Sequence, residues 1–180
     1  MTMLELVKHL NFAVVVLFTL LYLYQGFYVV VGLVRRRWQD RHQPSRLHRF
    51  AVIVSARNEE GVIGELLESL NRQNYPKELL DLYVVADNCT DDTAGAARRA
   101  GAFVYERFDQ VHKGKGYAMD YLFRRLKEEG KDCYDGYFVF DADNLVDRAF
   151  VRRMNDTACS GDFAAVTCYR NSKNYGANWI

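Results

Sequence analysis

Apolar and polar positions divide the chain into one long uncharged run followed by short apolar runs, each ending in a polar cluster. From Phe12 to Val34, 23 consecutive residues carry no charge. As a helix they would span roughly 35 Å, enough to cross a bilayer with some tilt. This predicts a flank over 1–11, one transmembrane helix over 12–34 and a basic juxtamembrane linker over 35–49 that contains Pro44. A cleaved signal peptide fits less well, since the run is too long and offers no good small-x-small site. An interfacial or hairpin segment is the competing reading. Arg35, Arg36, Arg37 and Arg41 follow the run, against Lys8 alone before it. The positive-inside rule therefore predicts a single-pass protein of the cell membrane with its C-terminal domain in the cytosol.

Beyond the linker, the period changes. Phe50–Val54 is a continuous apolar run rich in branched residues, as expected of a strand buried on both faces. Ile63, Leu66, Leu67 and Leu70 then recur at helical spacing, and Tyr75-Pro76 ends the segment. The alternation repeats, with strands over 82–86, 102–105, 136–140 and 163–167 and helices over 91–100, 116–129 and 148–159. This predicts an α/β domain over 50–180 with a mostly parallel, Rossmann-like sheet covered by helices and ligands at the carboxyl ends of its strands.

Composition narrows the function. The 180 residues are 49% hydrophobic and 26% charged with net charge +1, which removes the long-range attraction expected of a nucleic-acid binder. No nucleic-acid partner is expected. Cys89, Cys133, Cys159 and Cys168 have no metal or redox spacing and read as buried free thiols of a reducing compartment.

Four polar clusters follow the predicted strands and should converge on one rim. They are Ser55-Ala56-Arg57-Asn58-Glu59-Glu60, Asp87-Asn88-Cys89-Thr90-Asp91-Asp92, His112-Lys113-Gly114-Lys115-Gly116 and Asp141-Ala142-Asp143-Asn144. Asp141 and Asp143 are two apart, so extended backbone would project both carboxylates to one side, where Mg2+ or Mn2+ finds hard oxygen ligands. Such an ion would neutralise charge on a leaving diphosphate. The competing reading is a solvated turn, with Asp147 capping the next helix. Lys113 and Lys115 bring ammonium groups toward phosphate at a helix start, although basic surface loops are common. Asp87 sits where a carboxylate accepts hydrogen bonds from a base or ribose, and Ser55 and Arg57 lie nearest their strand tip. Thr90, Asp91 and Asp92 read as helix capping, and Glu59 and Glu60 as first-turn charges.

Together the four clusters resemble family-2 glycosyltransferases of the GT-A fold, in the wording of the exopolysaccharide-synthesis branch, distantly related to cellulose and hyaluronan synthases. The resemblance runs from Val52–Glu60 through Val85–Thr93 and Gly114–Met119 to Phe138–Asn144, and covers roughly 50–180. It implies inverting transfer of a sugar from a nucleotide-diphosphate donor to a saccharide or lipid-linked acceptor hydroxyl. Asp87 would lie near the base and Asp141 near the ribose. Ser55, Arg57, Glu59, Asn88, Lys113, Lys115 and Gly116 would complete the donor site, and Asp143 with Asp141 would hold the metal.

The departure is at the C-terminal side, since family members carry their acidic base in a later segment. That base is expected beyond residue 180, which reads the chain as C-terminally incomplete. Arg35-Arg36-Arg37-Trp38 is no substitute for the family's Gln-x-x-Arg-Trp. Asp147, Asp156 and Asp162 are not assigned as base, and Arg170, Lys173 and Trp179 are candidates for approaching donor or acceptor. The alternative function is a nucleotide-sugar-binding module that needs a partner chain. A sugar nucleotidyltransferase would need a glycine-rich loop after the first strand, and Ser55-Ala56-Arg57-Asn58 has no glycine.

Overall fold

A computed structural model describes residues 3–39 and 46–168, which fall into two units divided between Gln43 and Pro44. The first unit is a single helix, α1, Met3–Gln39. Its segment Met3–Val34 is long and apolar enough to cross a membrane. Its leucines, valines and aromatics lie exposed around the whole circumference, a surface suited to hydrocarbon rather than water. Thr19, within the apolar run, returns its hydroxyl to the Val15 carbonyl at 2.8 Å, which satisfies the polar group internally. The helix begins earlier than the uncharged run and continues to Gln39, so 35–39 extends it where a linker was expected.

The second unit alternates strand and helix. Its order is β1 Phe50–Ala56, α2 Glu60–Asn71, a 3-10 turn at Lys77–Leu79, β2 Leu80–Asp87, α3 Thr93–Arg99, β3 Phe103–Arg107, α4 Lys115–Glu128, β4 Gly136–Asp141 and α5 Phe150–Cys159. The four strands are parallel in the order β3-β2-β1-β4. Alternation along β1 builds both layers. Phe50, Val52, Val54 and Ala56 pack with Ile63, Leu66, Leu67 and Leu70 of α2, Ala97 of α3 and Val151 of α5. Ala51 and Ile53, on the other face, pack with Tyr83, Val85 and the α4 residues Ala118, Leu122 and Leu126.

Three expectations are corrected. The four thiols are free but not buried, with Cys133 and Cys168 exposed and Cys89 and Cys159 half-buried. The strand predicted over 163–167 is absent: residues 161–168 are exposed and join no strand pairing, with Phe163 and Val166 open to solvent. Apolar residues form a strand only where a neighbour's edge accepts their backbone groups, and the bonded pairs of this sheet end at β4. The stretch before β1 is also more than a polar linker. Arg46 pairs with Asp135, Arg49 pairs with Asp81, and the buried Asn155 accepts the His48 backbone N–H at 3.0 Å. Residues 46–49 are thus fastened to the amino ends of the strands, while 40–45 lie outside the described residues.

Leu67→Ala removes a fully buried side chain between α2 and the sheet and should destabilise the domain by about 2–5 kcal/mol. Leu145→Ala, at an exposed position, should cost less than about 0.5 kcal/mol. Urea unfolding of the detergent-solubilised chain compares the two, and equal losses would contradict this packing.

Candidate functional site

Because every strand is parallel, all four carboxyl ends open on one rim. In register, Ser55 lies opposite Asp141, Ala56 opposite Ala86, and Asp87 opposite Arg107. The strand order reverses between β1 and β4, and such a switch point leaves a crevice outside the strand ends. Lys115 reaches that crevice from the first position of α4. The preceding Gly114 has φ +122, a conformation that side chains resist, and this turn aims the chain into the helix. Lys115 Nζ then lies 2.5 Å from Asp141 Oδ1. Their side chains are 43% and 48% exposed, so the pair contributes only about 0–1 kcal/mol.

The two aspartates of the fourth cluster are not placed by an extended strand. β4 ends at Asp141, and the Asn144 N–H donates to the Asp141 carbonyl at 3.1 Å, closing a turn. The Asn144 side chain donates to Asp143 Oδ1 at 3.2 Å and accepts from the Asp141 N–H at 3.3 Å. Alternation along a strand therefore does not relate the two carboxylates, and a turn organised by Asn144 does. Among the described residues, no group of three or more His, Cys, Asp or Glu is placed to hold a metal ion by itself. Two carboxylates of this kind fit a hard cation that takes its remaining ligands from phosphate and water, the usual manner for Mg2+.

At the far side of the rim, Asp87 is buried at the end of β2 and Asn88 follows it, also buried. Arg107, the last residue of β3, donates to Asp87 Oδ1 at 2.6 Å, with both side chains under a tenth exposed. The same guanidinium donates to Asp109 Oδ2 at 3.0 Å and to the His112 carbonyl at 2.7 Å. Asn88 has a left-handed backbone, φ +55, which asparagine tolerates. Its side chain donates to Asp87 Oδ1 at 2.9 Å and to the Asp109 carbonyl at 3.0 Å, and accepts from the Asp109 N–H at 2.9 Å. Asp109 Oδ1 in turn accepts the backbone N–H groups of His112 and Val111, at 2.9 and 2.8 Å. These two donors, with His112 Nδ1 and Arg107, hold its carboxyl down at about 2.

The first two rim loops are sewn to each other. Asn58, also left-handed at φ +56, accepts the Thr90 N–H at 2.8 Å, and Thr93 Oγ1 accepts the Glu59 N–H at 2.8 Å. Asp91 Oδ1 accepts the Thr93 hydroxyl and N–H, which lowers its carboxyl pKa. Asp91 therefore serves the start of α3, and Glu60 accepts the Asp92 N–H at 3.1 Å. Of the remaining candidates, Ser55 and Glu59 are half-buried at the rim, and Arg57, Lys113 and Gly116 are exposed there. Arg170, Lys173 and Trp179 lie outside the described residues.

The sequence clusters do not include Arg107 and Asp109; Arg107 lies two residues past the apolar run 102–105, at the end of a strand longer than that run.

Comparison with known proteins adds three findings. A family model described as "Glycosyltransferase like family 2" matches residues 48–180. The 4,4'-diaponeurosporenoate glycosyltransferase of Staphylococcus aureus is 41% identical over 85 residues, 47% of this chain and 19% of the relative. The chain thus spans about a fifth of that relative's length. Among solved structures, a mannosyltransferase from Pyrobaculum calidifontis in complex with GDP-Man and Mn2+ superposes with TM-score 0.53 at 23% identity, covering 77% of this chain and 41% of that one. That likeness concerns the fold.

The lowered carboxyl of Asp109 has a defined pH signature. Its ionised form is favoured in the folded chain, so its contribution is complete above the ordinary value of 3.8 and is lost as pH falls through about 2. A carboxyl-carbon NMR titration should place Asp109 near the lower value, and a midpoint near 4 would contradict the geometry.

Proposed function

The chain belongs to glycosyltransferase-like family 2, and from that premise we propose that its rim binds a nucleotide-diphosphate sugar with Mg2+ or Mn2+ and serves inverting sugar transfer to an acceptor hydroxyl. The observation that carries this reading is the meeting of two differently built ion pairs on one rim, Asp87–Arg107 buried at one side and Lys115–Asp141 exposed at the switch point. The buried side suits a base, which needs fixed hydrogen-bonding groups in a dry setting. Asn88 and Arg107 both donate to Asp87 Oδ1. The exposed side suits a diphosphate, because the Lys115–Asp141 pair separates at little cost and releases an ammonium for phosphate and a carboxylate for ribose or metal.

In this reading Asp143 joins Asp141 as metal ligand, Lys113 and Lys115 take the diphosphate, and Gly116 lets it approach the start of α4. Ser55, Arg57, Glu59 and Asn88 line the donor between the two ends. The cation, when bound, neutralises charge on the leaving nucleotide. A protein of like fold that holds GDP-Man and Mn2+ is in keeping with this ligand class. We further propose that α1 anchors the chain in the cell membrane with the second unit in the cytosol, and that the acceptor is a saccharide or a lipid-linked acceptor of cell-surface or exopolysaccharide synthesis.

A specific observation favours a second reading. Asp147 is spent on the start of α5, where it accepts the Ala149 N–H, and Asp156 faces Arg152 at 3.6 Å. No base is assigned among the described residues, and a nucleotide-sugar-binding module completed by a partner chain is the alternative.

Adding UDP or GDP with Mn2+ should raise the thermal midpoint of the detergent-solubilised chain, since a ligand of the native state stabilises it. Asp143→Ala should abolish the part of the shift that depends on Mn2+. No shift in the wild type would sink both readings. Release of free nucleotide diphosphate from a sugar donor then separates the enzyme from the binding module.

A further inference from the structure

The loop between β3 and α4, residues 108–114, carries Lys113 and precedes Lys115, yet packing does not hold it in place. Its two large apolar side chains, Phe108 and Val111, are 72% and 83% exposed. What holds it is polar. Asp109 Oδ1 accepts two backbone N–H groups of the loop, at Val111 and His112, while Asp109 Oδ2 accepts from Arg107. Arg107 is itself buried against Asp87, and its second terminal nitrogen also donates to the His112 carbonyl at 2.7 Å. One guanidinium therefore touches both the group assigned to the base and the peptide directly before Lys113.

We propose that Asp109 is a positioning residue, which couples the base end of the donor site to its phosphate end by locking the loop 108–114 onto the Asp87–Arg107 pair. The inference rests on the donor-binding reading above. Asp109 need not touch the donor. Its carboxylate fixes where the chain leaves Arg107, and Gly114, at φ +122, turns that fixed path into α4. Lys113 is thereby presented at one place instead of sampling many, and the ordering entropy is met before the diphosphate arrives. Without the Asp109 carboxylate, the Val111 and His112 N–H groups lose their acceptor and Arg107 keeps only the His112 carbonyl of the loop, so the bonds of Asn88 to the backbone of residue 109 and of Arg107 to His112 are left to hold Lys113, which then samples more positions.

A merely stabilising aspartate would act independently of Lys113, so a double-mutant cycle decides. In the full chain in detergent, UDP and GDP with Mn2+ are titrated calorimetrically against the wild type, Asp109→Ala, Lys113→Ala and the double variant. Asp109→Ala should weaken nucleotide binding by about tenfold, within the usual range of couplings between sites. The double variant should bind within about twofold of the weaker single variant, because Lys113 has already lost its placement. Amide exchange at Val111 and His112 should accelerate in Asp109→Ala without nucleotide. Multiplying losses in the double variant, or wild-type affinity in Asp109→Ala, would overturn the proposal while leaving nucleotide binding intact. Failure of the wild type to bind either nucleotide would instead overturn the donor-binding reading, and this inference with it. If Asp109→Ala misfolds, Asp109→Asn, which keeps a side-chain oxygen but loses the charge, goes through the same cycle.

Discussion

Because β1 is hydrogen-bonded on both edges to parallel neighbours, every connection in the second unit must cross a face of the sheet and bring the chain back to the same starting side. That constraint puts α2, α3 and α5 on one face and α4 on the other, and sends every strand tip to a single rim. The same geometry makes β1 apolar on both faces, since neither face sees water: Ala51, Val52, Ile53 and Val54 are all fully buried. The rim is the first place after each strand where a polar side chain can be placed without loss. Chemistry collects there because the core excludes it elsewhere.

This explains which parts were legible from residues alone. Strands buried on both faces are continuous apolar runs bounded by polar clusters, and β1 and β2 are found that way with ends off by up to two residues; β4 has the same kind of run although Tyr137 and Val139 on one of its faces are exposed. The amphipathic spacing of Ile63, Leu66, Leu67 and Leu70 marks α2 as plainly, and all four are buried in the structure. Hydrogen-bond pairing leaves no trace in periodicity, and so Phe163–Thr167, apolar enough to be a strand, is not one. Nor does spacing reveal how a carboxylate is spent: Asp141 and Asp143 look like an extended pair until Asn144 closes a turn between them. Arg107 was hidden differently, since its partner Asp87 is twenty positions earlier and only the β2–β3 register brings them opposite.

The two ion pairs of the rim differ in what it costs to disturb them. For Asp87 and Arg107 the two losses differ: removing Arg107 leaves a buried carboxylate without its cation, at about 3–5 kcal/mol in comparable buried pairs, whereas removing Asp87 leaves Arg107 its bonds to Asp109 and the His112 carbonyl. They behave as scaffold. Lys115 and Asp141, each nearly half exposed, exchange one another for solvent or a ligand almost freely. A site that must grip and release a charged ligand needs both kinds, one to hold shape and one to change partner. β1 lies between the two pairs, and the loop that Arg107 holds at Asp109 and His112 runs from the first to Lys115 of the second.

Strain is distributed in the same way. Asn58 and Asn88, just past the tips of β1 and β2, are the non-glycine residues with left-handed backbone among the described ones. Such positions cost on the order of 1–3 kcal/mol unless the surroundings over-determine them. Here they do: Asn58 is held by Thr90, and Asn88 by Asp87, Asp109 and Gln110. The bonds of the two asparagines fix the loops as they leave the strand tips, with Arg57 exposed and Ser55 half-buried at one tip and Asp87 buried at the other. An alanine at either position would lose both the tolerance for that backbone and the side-chain bonds that hold it, so the strain would no longer be met by the surroundings that fix the loop.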